Sequence, residues 1–512
     1  MLTPPAAAVK FDLPLTPEQK ACATKIDQGL KTFRNLVERM PHAADQQQPI
    51  HQVEEVLFRD LLRIGRCLLQ AFVDMAGIGD VGPTLTVAGE SASDPDQELP
   101  RLDRPHTRPY LSIFGEIPIG RTCYGRGRIE AAPLDAQLHL PHRQYSYLLQ
   151  QWPGSFVADD AHAESIRKPG TILGLEITVR ASEDLNREQA GDVEVFQDRL
   201  PVPAAAEEGP PLVVTADCKG VPLVRSALPP DKATDPPPPA PAHRRRGKGE
   251  KANKEKTAAV GAVYTIEPFV RQADDVIEEV MRKKARERRP DPQNKRVRAE
   301  LLAGKAALFV WLAGEVIRRN PDGKKPVIFL SDGGRALHDR RGEHLPEDTI
   351  CILDLFHVLE RLWKAAWCFF DERTQKHEAR QWVEERLKRL LEGKADAVIR
   401  GLRRQATQRG SKGQKRKTVR DAADYFERNR DRMKYDEYLA AGNPIGSGVV
   451  EGACRHLVKD RMERTGMRWL PSGAQAMLDL RATYLNGDWD AFRSFHVTQE
   501  DQRLYGKIRE AG

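Results

Sequence analysis

The sequence predicts an α/β domain with a mixed sheet and an all-helical insertion, preceded by a mainly helical N-terminal region that contains a small β unit. Three observations predict this fold class. Short apolar runs alternate with helix-like sequence from about residue 210 to 359. The stretch 360–442 is highly charged and keeps helical spacing throughout. Apolar residues also recur at helical spacing near the N-terminus.

The composition limits the class of protein. The 512 residues carry 81 basic and 74 acidic side chains, for a net charge of +7. This length suits about three domains, each large enough to bury a core. No apolar run approaches the roughly 18 residues of a membrane span, and the N-terminus lacks a secretory pattern, so we expect a soluble cytoplasmic protein with no membrane partner. The seven cysteines are scattered without a CxxC pair, which argues against disulfides or a cysteine zinc site.

The N-terminal region is predicted to be helical over residues 1–80. The clearest apolar stripe at helical spacing should form a buried helix face. It comprises Leu57, Leu61, Leu62, Ile64, Leu68, Leu69 and Phe72. Residues 83–106 are rich in Ser, Asp, Pro and Gly, as loops are. Alternation over 111–131 predicts the small β unit, and helical spacing then returns. We therefore assign residues 81–200 to a β unit with a helical subdomain.

The α/β domain is predicted to begin at residue 201 and to continue to 359. The run PPLVVTADCKGVPLVRSAL predicts a β-hairpin that turns at Lys219 and Gly220, with Asp217 at the end of its first strand. Residues 201–242 hold 12 of the 36 prolines and lead into a basic run, so 229–256 is expected to be a disordered basic loop. Residues 443–512 should complete this domain with C-terminal helices.

Three acids occupy positions that suit chemistry. Asp217 and Asp332 each end a predicted strand, and Glu451 lies in the first turns of a helix with a Gly-rich start. Each alone also fits a turn, a helix cap or a solvated helix position. Acids at the ends of neighbouring strands, however, converge at one edge of an α/β sheet. Carboxylates there suit metal-assisted phosphoryl transfer with two Mg²⁺ ions, Asp217 bridging both and Asp332 and Glu451 flanking.

The sequence around these acids resembles a known family. The matching segments are TADCKGVP, FLSDGGRAL, LDLFHVLERLW and, most specifically, NPIGSGVVEGACRHLVKDRMERTGMRW. They are similar to bacterial insertion-sequence transposases of the DDE class, in the broad Mutator-like group. The resemblance covers most of the chain from about Leu57 onward. It implies a ribonuclease-H-like catalytic fold whose helical insertion, here 360–442, precedes the catalytic glutamate.

The resemblance also implies an activity. Such a protein binds the terminal inverted repeats of its element, cleaves double-stranded DNA with Mg²⁺, for which Mn²⁺ substitutes, and joins the 3′-hydroxyl to target DNA. Holding two ends together implies a homodimer or larger oligomer, and a bacterial source implies a nucleoid-associated protein. The N-terminal segment 81–200 would then bind the transposon ends.

The second metal ligand has two candidates. The family carries a C/DxxH motif, which Asp354 to His357 fits, and Asp354 also follows an apolar run. We assign Asp332, because it closes the preceding strand, and keep Asp354, His357 and Lys219 as supporting residues near the site. His357 is equally well interpreted as a helix-start histidine. Cys218 stands where the resemblance leads us to expect glycine, and a side chain there would crowd the first metal.

Basic residues beside Glu451 are the expected contacts to DNA phosphates. Arg455 and Lys459 follow it at four-residue spacing and should share its helix face. The remaining members of the predicted DNA-binding set are Arg461, Arg468 and Trp469. Trp469 suits either stacking on an unpaired base or core packing.

Three basic clusters extend the possible DNA surface. Those at 281–298 and 409–420 flank the predicted core and suit phosphate contacts, whereas 243–256 is better explained as a solvated tail. Two other functions stay open. One is a ribonuclease-H-like nuclease that cleaves without joining, and the other is a decayed transposase or DNA-binding regulator, which Cys218 would favour.

Overall fold

The protein is represented by a computed structural model that describes residues 16, 23–89, 94–204, 207–224, 256–283, 285 and 288–510. Two compact units make up the chain: Met1–Leu185 with Asp490–Gly512, and Asn186–Trp489. The predicted C-terminal segment 443–512 is therefore shared between the two units. The predicted basic loop and the cluster at 243–256 lie outside the described residues, apart from Lys256. Within the described ranges, no helix combines the length and apolarity that a membrane span requires.

The first unit combines helices with two small antiparallel strand pairs, β1 with β2 and β3 with β4. The elements in it or at its border are α1 (Thr24–Asp45), α2 (Ile50–Met75), β1 (Thr84–Val87), β2 (Gln97–Pro100), β3 (His106–Ser112), β4 (Gly115–Arg121), α3 (Pro133–Gln137), α4 (Tyr147–Asp159), α5 (His162–Leu173) and α6 (Val179–Ala190). Ile117 and Ile119 alternate inward on β4 and pack with Val73 of α2 and Leu134 of α3. The small β unit is present as predicted, and the predicted loop 83–106 also contains β1 and β2.

The predicted buried stripe on α2 is partly wrong. Leu61, Leu68 and Phe72 are 54%, 49% and 60% exposed. The helix instead buries Gln70, Ala71 and Val73 near its C-terminal end. A helical period identifies an apolar face, but only packing partners decide whether that face is covered.

The second unit is built on a five-stranded mixed sheet. Its strands are β5 (Leu212–Val221), β6 (Lys256–Thr265), β7 (Gln293–Glu300), β8 (Val327–Ser331) and β9 (Ile350–Leu353). The spatial order is β7-β6-β5-β8-β9. β6 runs antiparallel to both β5 and β7, whereas β8 and β9 are parallel to β5. The predicted mixed sheet is confirmed.

Helices cover both faces of this sheet, and further helices form the insertion 360–442. They are α7 (Val193–Arg199), α8 (Ala273–Val280), α9 (Gly304–Arg319), α10 (Arg335–His344), α11 (Leu355–Phe369), α12 (Lys376–Leu391), α13 (Ala395–Gln408), α14 (Gly413–Arg428), α15 (Tyr435–Ala440), α16 (Gly448–Ala453), α17 (Pro471–Leu485) and α18 (Trp489–Glu510), the last at the border of the units. Alternate strand residues face opposite cores. Val214 and Ala216 pack with Leu308 of α9, whereas Val213 and Ile328 share a core with α11 and the insertion.

The predicted hairpin at Lys219 and Gly220 is wrong. These two residues lie inside β5 and pair with Ala258 and Thr257 of β6. The neighbour of β5 therefore comes from beyond residue 255 and not from the adjacent apolar run. Glycine in an extended strand satisfies the sheet hydrogen bonds as any residue does, so a turn-prone pair does not by itself end a strand.

The stretch 360–442 is helical, as predicted, and it is fixed to the last strand. Tyr435, which is fully buried, donates its hydroxyl hydrogen to the carbonyl of Leu353 at 2.8 Å. The hydroxyl of Tyr438 bonds the carbonyl of Cys351 at 3.1 Å. Both bonds anchor the end of the insertion beside the carboxyl end of β9, the edge of the sheet at which the predicted acids lie.

A half-buried acid away from that edge should make folding depend on pH. Burial raises the pKa of Asp479 on α17 from 3.8 to about 7, although Gln475 donates a hydrogen bond to it at 2.8 Å. A raised pKa favours the protonated carboxyl in the folded state, so this contribution to stability is present below about pH 4 and lost as the pH rises through 7. Asp479→Asn should therefore be more stable than wild type at pH 8, by up to about 4 kcal/mol, and similar at acidic pH.

Urea unfolding at pH 4 and pH 8 measures this difference. The matched control is Asp431→Asn, since the Asp431 side chain is 94% exposed and should show no such pH dependence. Equal stabilities of Asp479→Asn and wild type at pH 8 would contradict the raised pKa.

Candidate active site

Three aspartates lie at the same level on three adjacent strands. The register pairs Ala216 of β5 with Ser331 of β8, and Ser331 with Leu353 of β9. The next residue on each strand is an aspartate, namely Asp217, Asp332 and Asp354. Neighbouring strands are about 4.8 Å apart, so these acids begin side by side at the carboxyl edge of the parallel strands. The predicted convergence of acids is present, although β5 itself continues past Asp217 to Val221.

Asp332 begins a tight turn that the insertion covers. Its Oδ1 accepts a hydrogen bond from the Gly334 amide at 3.0 Å. The amide of Gly333 donates to the Tyr425 hydroxyl of α14 at 3.1 Å. A Cβ atom at Gly333 would lie 2.5 Å from the Tyr425 ring, so a larger residue does not fit unless the insertion moves. The half-buried carboxylate of Asp332 is therefore held at the surface of a rigid turn.

Asp354 is fully buried and bonded at both carboxylate oxygens. Its Oδ1 caps α11 by accepting from the Phe356 amide at 3.2 Å, and it also accepts from the Ser447 amide at 3.0 Å. Its Oδ2 lies 2.5 Å from Nδ1 of His357. Burial by itself would raise the pKa of Asp354, but the hydrogen bonds from His357 and Ser447 outweigh burial and lower it. Asp354 is thus ionised, and its hydrogen bonds join the start of α11 to the loop before α16.

His357 is the positive partner in this cluster. The hydrogen bond to Asp354 raises the pKa of His357 to about 9 despite partial burial, and the charges of Asp332 and Asp217 add to the effect. The ring is therefore an imidazolium at neutral pH. An imidazolium has no lone pair for a metal ion, so in this state His357 balances the charge of the acids.

Glu451 comes to the same edge on α16, where its side chain reaches the surface. Partial burial raises the pKa of Glu451, as do the nearby charges of Asp354 and Asp217, while His357 opposes them. After Ala453 the helix widens into a π-helical segment, Cys454–Lys459. Cys454 lies in this segment, and its thiol Sγ is 3.4 Å from Oδ2 of Asp217. Burial raises the pKa of this thiol well above its usual value, so the thiol stays protonated and donates to Asp217.

One group of three possible metal ligands occurs among the described residues. The ligand atoms of Asp354, His357 and Glu451 all lie within 4.8 Å of one another. The predicted set of Asp217, Asp332 and Glu451 does not meet that criterion, and Glu451 is the member that both sets share. Carboxylate oxygens are the hard donors that Mg²⁺ takes, and both oxygens of Asp354 already accept protein hydrogen bonds. The carboxylates of Asp354 and Glu451 give this group the oxygen donors that suit a hard cation.

The concern that Cys218 crowds the site is not supported. Cys218 packs against the core that contains Val214 and Ala216, on the α9 side of the sheet. Because successive strand residues face opposite sides, the Asp217 carboxylate projects away from it. Lys219 shares the Asp217 face of β5, and its charge acts on the Cys454 thiol. The supporting position predicted for Lys219 is consistent with this placement.

Three of the predicted DNA contacts are exposed. Arg455, Lys459 and Arg468 all lie at the surface, and Arg455 is 3.7 Å from Asp460. The π-helical segment separates Arg455 and Lys459 by less than a full turn, so the expectation that they share one α-helical face with Glu451 does not hold strictly. They still form an exposed basic surface directly after Glu451.

The placement of Arg461 and Trp469 differs from the predicted contacts to DNA. Arg461 is 0% exposed, and its guanidinium lies 4.8 Å from the Trp469 ring centroid. The Trp469 indole donates to the carbonyl of Met462 at 3.2 Å. A fully buried guanidinium offers no surface to a DNA phosphate, so Arg461 is part of the core, and Trp469 packs on it while staying half-buried.

A groove beside Glu451 contains residues that were not singled out from the sequence. It has a volume of about 660 Å³ and is lined by Glu451, Phe356, Arg271, Arg288 and Arg289, among others. Phe356 is 44% exposed although it is a large apolar residue. The basic run 281–298 already pointed to Arg288 and Arg289. The placement of Phe356 beside Glu451 instead depends on the loop before α16, which folds back onto α11.

Comparisons with known proteins give little further information. No family model matches the chain, and no curated protein matches it. Among solved structures, the chain is similar to a Drosophila P element transposase strand transfer complex at 10% identity, covering 71% of this chain and 85% of that chain. The TM-score of 0.22 is too low for this likeness to carry an argument.

Proposed function

We propose that the protein is a DDE-class transposase that binds the ends of its element and carries out Mg²⁺-dependent strand cleavage and strand transfer. One observation carries the proposal. Asp217 and Asp332 lie at the same level on adjacent parallel strands, α16 brings Glu451 to that edge, and Cys454 of the following π-helical segment bonds Asp217. An acid set at one sheet edge is the arrangement that metal-assisted phosphoryl transfer needs.

The order of the strands supports a ribonuclease-H-like core. Three antiparallel strands are followed by two parallel ones, with the first strand in the centre of the sheet. The helical insertion falls between the last strand and the helix of Glu451, where the sequence resemblance implies it. A ribonuclease-H-like core therefore accounts for both the sheet and the site of the insertion.

Asp217, Asp332 and Glu451 would hold the metal. Bound there, Mg²⁺ would lower the pKa of an attacking water or hydroxyl and neutralise charge on the leaving oxygen. Asp354 is a positioning residue, because its bonds join α11 to the loop that precedes Glu451. The imidazolium of His357 supplies a positive charge to this acidic edge. This charge reduces the electrostatic repulsion among the carboxylates.

DNA would lie across the basic surface next to these acids. Arg455, Lys459, Arg468 and Arg288 are exposed and suit backbone phosphates, which supply affinity without sequence information. Phe356, exposed in the groove, suits stacking on an unpaired base near the cleaved strand. Phe356 thereby takes the base-stacking role that was one of the two alternatives for Trp469.

Incubation with candidate end DNA, with and without Mg²⁺, tests the function. A transposase gives Mg²⁺-dependent cleavage at the element ends and a joined product with target DNA. Cleavage without any joined product would favour a nuclease. The absence of both, together with no divalent-metal binding by calorimetry, would favour a DNA-binding regulator.

Cys218→Ala should leave catalysis unchanged. Because Cys218 packs on the side of the sheet opposite the Asp217 carboxylate, we expect the cleavage rate to stay within about twofold of wild type. Cys454→Ala is the matched variant, since it removes the thiol that contacts Asp217 and should slow cleavage. A large gain in rate for Cys218→Ala would instead show that the native side chain weakens this enzyme.

A further inference from the structure

A second polar cavity lies beside the turn of Asp332. It has a volume of about 420 Å³ and is formed by α10, the start of β9 and the segment after α14. Its basic lining residues are His338, Arg341, Arg428, Arg432 and Lys434. None of these residues belongs to the proposed catalytic set.

Three side chains that line this cavity each have one buried nitrogen atom without a hydrogen-bond partner within the described structure. The atoms are Nη1 of Arg432, Nε of Arg341 and Nδ1 of His338. Arg432 is only 8% exposed, and another of its nitrogens bonds Oδ1 of Asn429. A buried polar group that lacks a partner costs about 1–3 kcal/mol, and more when it is charged. The two guanidinium nitrogens are donors, and Nδ1 of His338 is a donor in one tautomer, so the walls of this cavity are short of acceptors.

The charges around the cavity favour an anion. Four cationic side chains line it, against the carboxylates of Asp431 and Glu437. Those two carboxylates are 94% and 63% exposed, and they lie near Arg430 and Lys434 respectively, so solvent screens them. The guanidinium of Arg432 is screened much less, because it is buried.

We propose that this cavity binds a phosphate group. Phosphate offers several acceptor oxygens to the side chains around the cavity, and guanidinium groups match its geometry. The phosphate could belong to a DNA backbone or to a free phosphate or phosphate monoester, since both present the same oxygens. Neither the metal site nor strand transfer is needed for this binding.

Thermal unfolding of the full-length protein in inorganic phosphate tests the site. Wild type should unfold at a higher temperature in phosphate than in chloride of equal ionic strength, because a ligand that binds only the folded state stabilises it. Arg432→Met should weaken phosphate binding at least about tenfold. It should not lower the unfolding temperature in chloride, because it replaces an incompletely bonded buried charge with an apolar side chain of similar length.

Two further variants keep the test decisive. Lys434→Ala removes an exposed cation at the mouth, so it should fold normally and still lose several-fold in phosphate affinity. Arg416→Met is the matched control, since Arg416 is exposed on α14 and outside the cavity, and its response to phosphate should equal that of wild type. The proposal is overturned if wild type shows no phosphate-specific shift, or if Arg432→Met and Lys434→Ala shift as much as wild type, in which case the cavity is merely hydrated.

Competition identifies the source of the phosphate. If inorganic phosphate displaces a short fluorescein-labelled duplex more than chloride of equal ionic strength does, and Arg432→Met abolishes that excess, the cavity takes a backbone phosphate. If neither inorganic phosphate nor the Arg432→Met substitution changes duplex binding while phosphate still raises the unfolding temperature, the site takes a free phosphate or monoester. Neither readout uses cleavage, so this inference and the proposed function can fail separately.

Discussion

Asp217→Asn is expected to reduce Mg²⁺-dependent strand cleavage by about a thousandfold or more while leaving DNA binding nearly unchanged. The amide keeps the size of the side chain and can still contact Cys454, but it removes the charge that a bound cation needs. Metal ions supply several kcal/mol of transition-state stabilisation, which corresponds to a rate effect of this size. Cleavage of end DNA and fluorescence anisotropy with the same DNA measure the two quantities.

The same separation should hold for the other two acids. Asp332→Asn and Glu451→Gln should each lose cleavage and keep DNA binding. Asp339→Asn is the matched control, because Asp339 is an exposed acid on α10 whose carboxylate lies 3.6 Å from Arg335. Full activity in any of the three site variants would remove that residue from the proposed metal site.

Asp354→Ala is expected to lower the free energy of unfolding by about 3 kcal/mol. It deletes the N-cap of α11, the acceptor for the Ser447 amide and the partner of His357 at once. Loss of an N-cap alone costs about 1 kcal/mol, and removal of one partner of a buried ion pair costs more. Asp354→Asn should cost less, since an amide oxygen still accepts from the two backbone amides. Urea unfolding measures both variants.

Comparison with Asp332→Asn separates the two candidates for the second metal ligand. We expect Asp332→Asn to unfold like wild type and to be inactive, because Asp332 is half-buried and its side chain accepts a hydrogen bond from a turn amide. An active Asp332→Asn together with a stable but inactive Asp354→Asn would exchange their roles. Wild-type stability of Asp354→Ala would contradict its positioning role.

Some of the site could be predicted from the sequence because it depends on local patterns. Asp332 and Asp354 directly follow apolar runs, and those runs form β8 and β9 as expected. The spacing could not show that Asp354 is fully buried while Asp332 is not. That difference arises because the amide of Ser447, 93 residues further along the chain, folds back onto Asp354.

Other predictions failed because long-range packing decided them. Arg461 and Arg455 look alike in the sequence, yet one is buried against Trp469 and the other is exposed. Likewise, three of the seven residues of the apolar stripe on α2 stay at the surface because covering them would need a packing partner. Periodicity identifies a face, but it does not say what that face meets.

The sequence by itself determined the mixed α/β class, the helical stretch 360–442 and the acids that end strands, because these follow from local spacing of apolar and charged residues. Only the tertiary structure decided that β5 pairs with a strand beyond residue 255, that Cys218 faces away from Asp217, and that Arg432 is left with a buried donor. Each of these depends on which distant segment completes the sheet or closes a cavity. Such contacts are set by the packing of the whole unit, which no local pattern encodes.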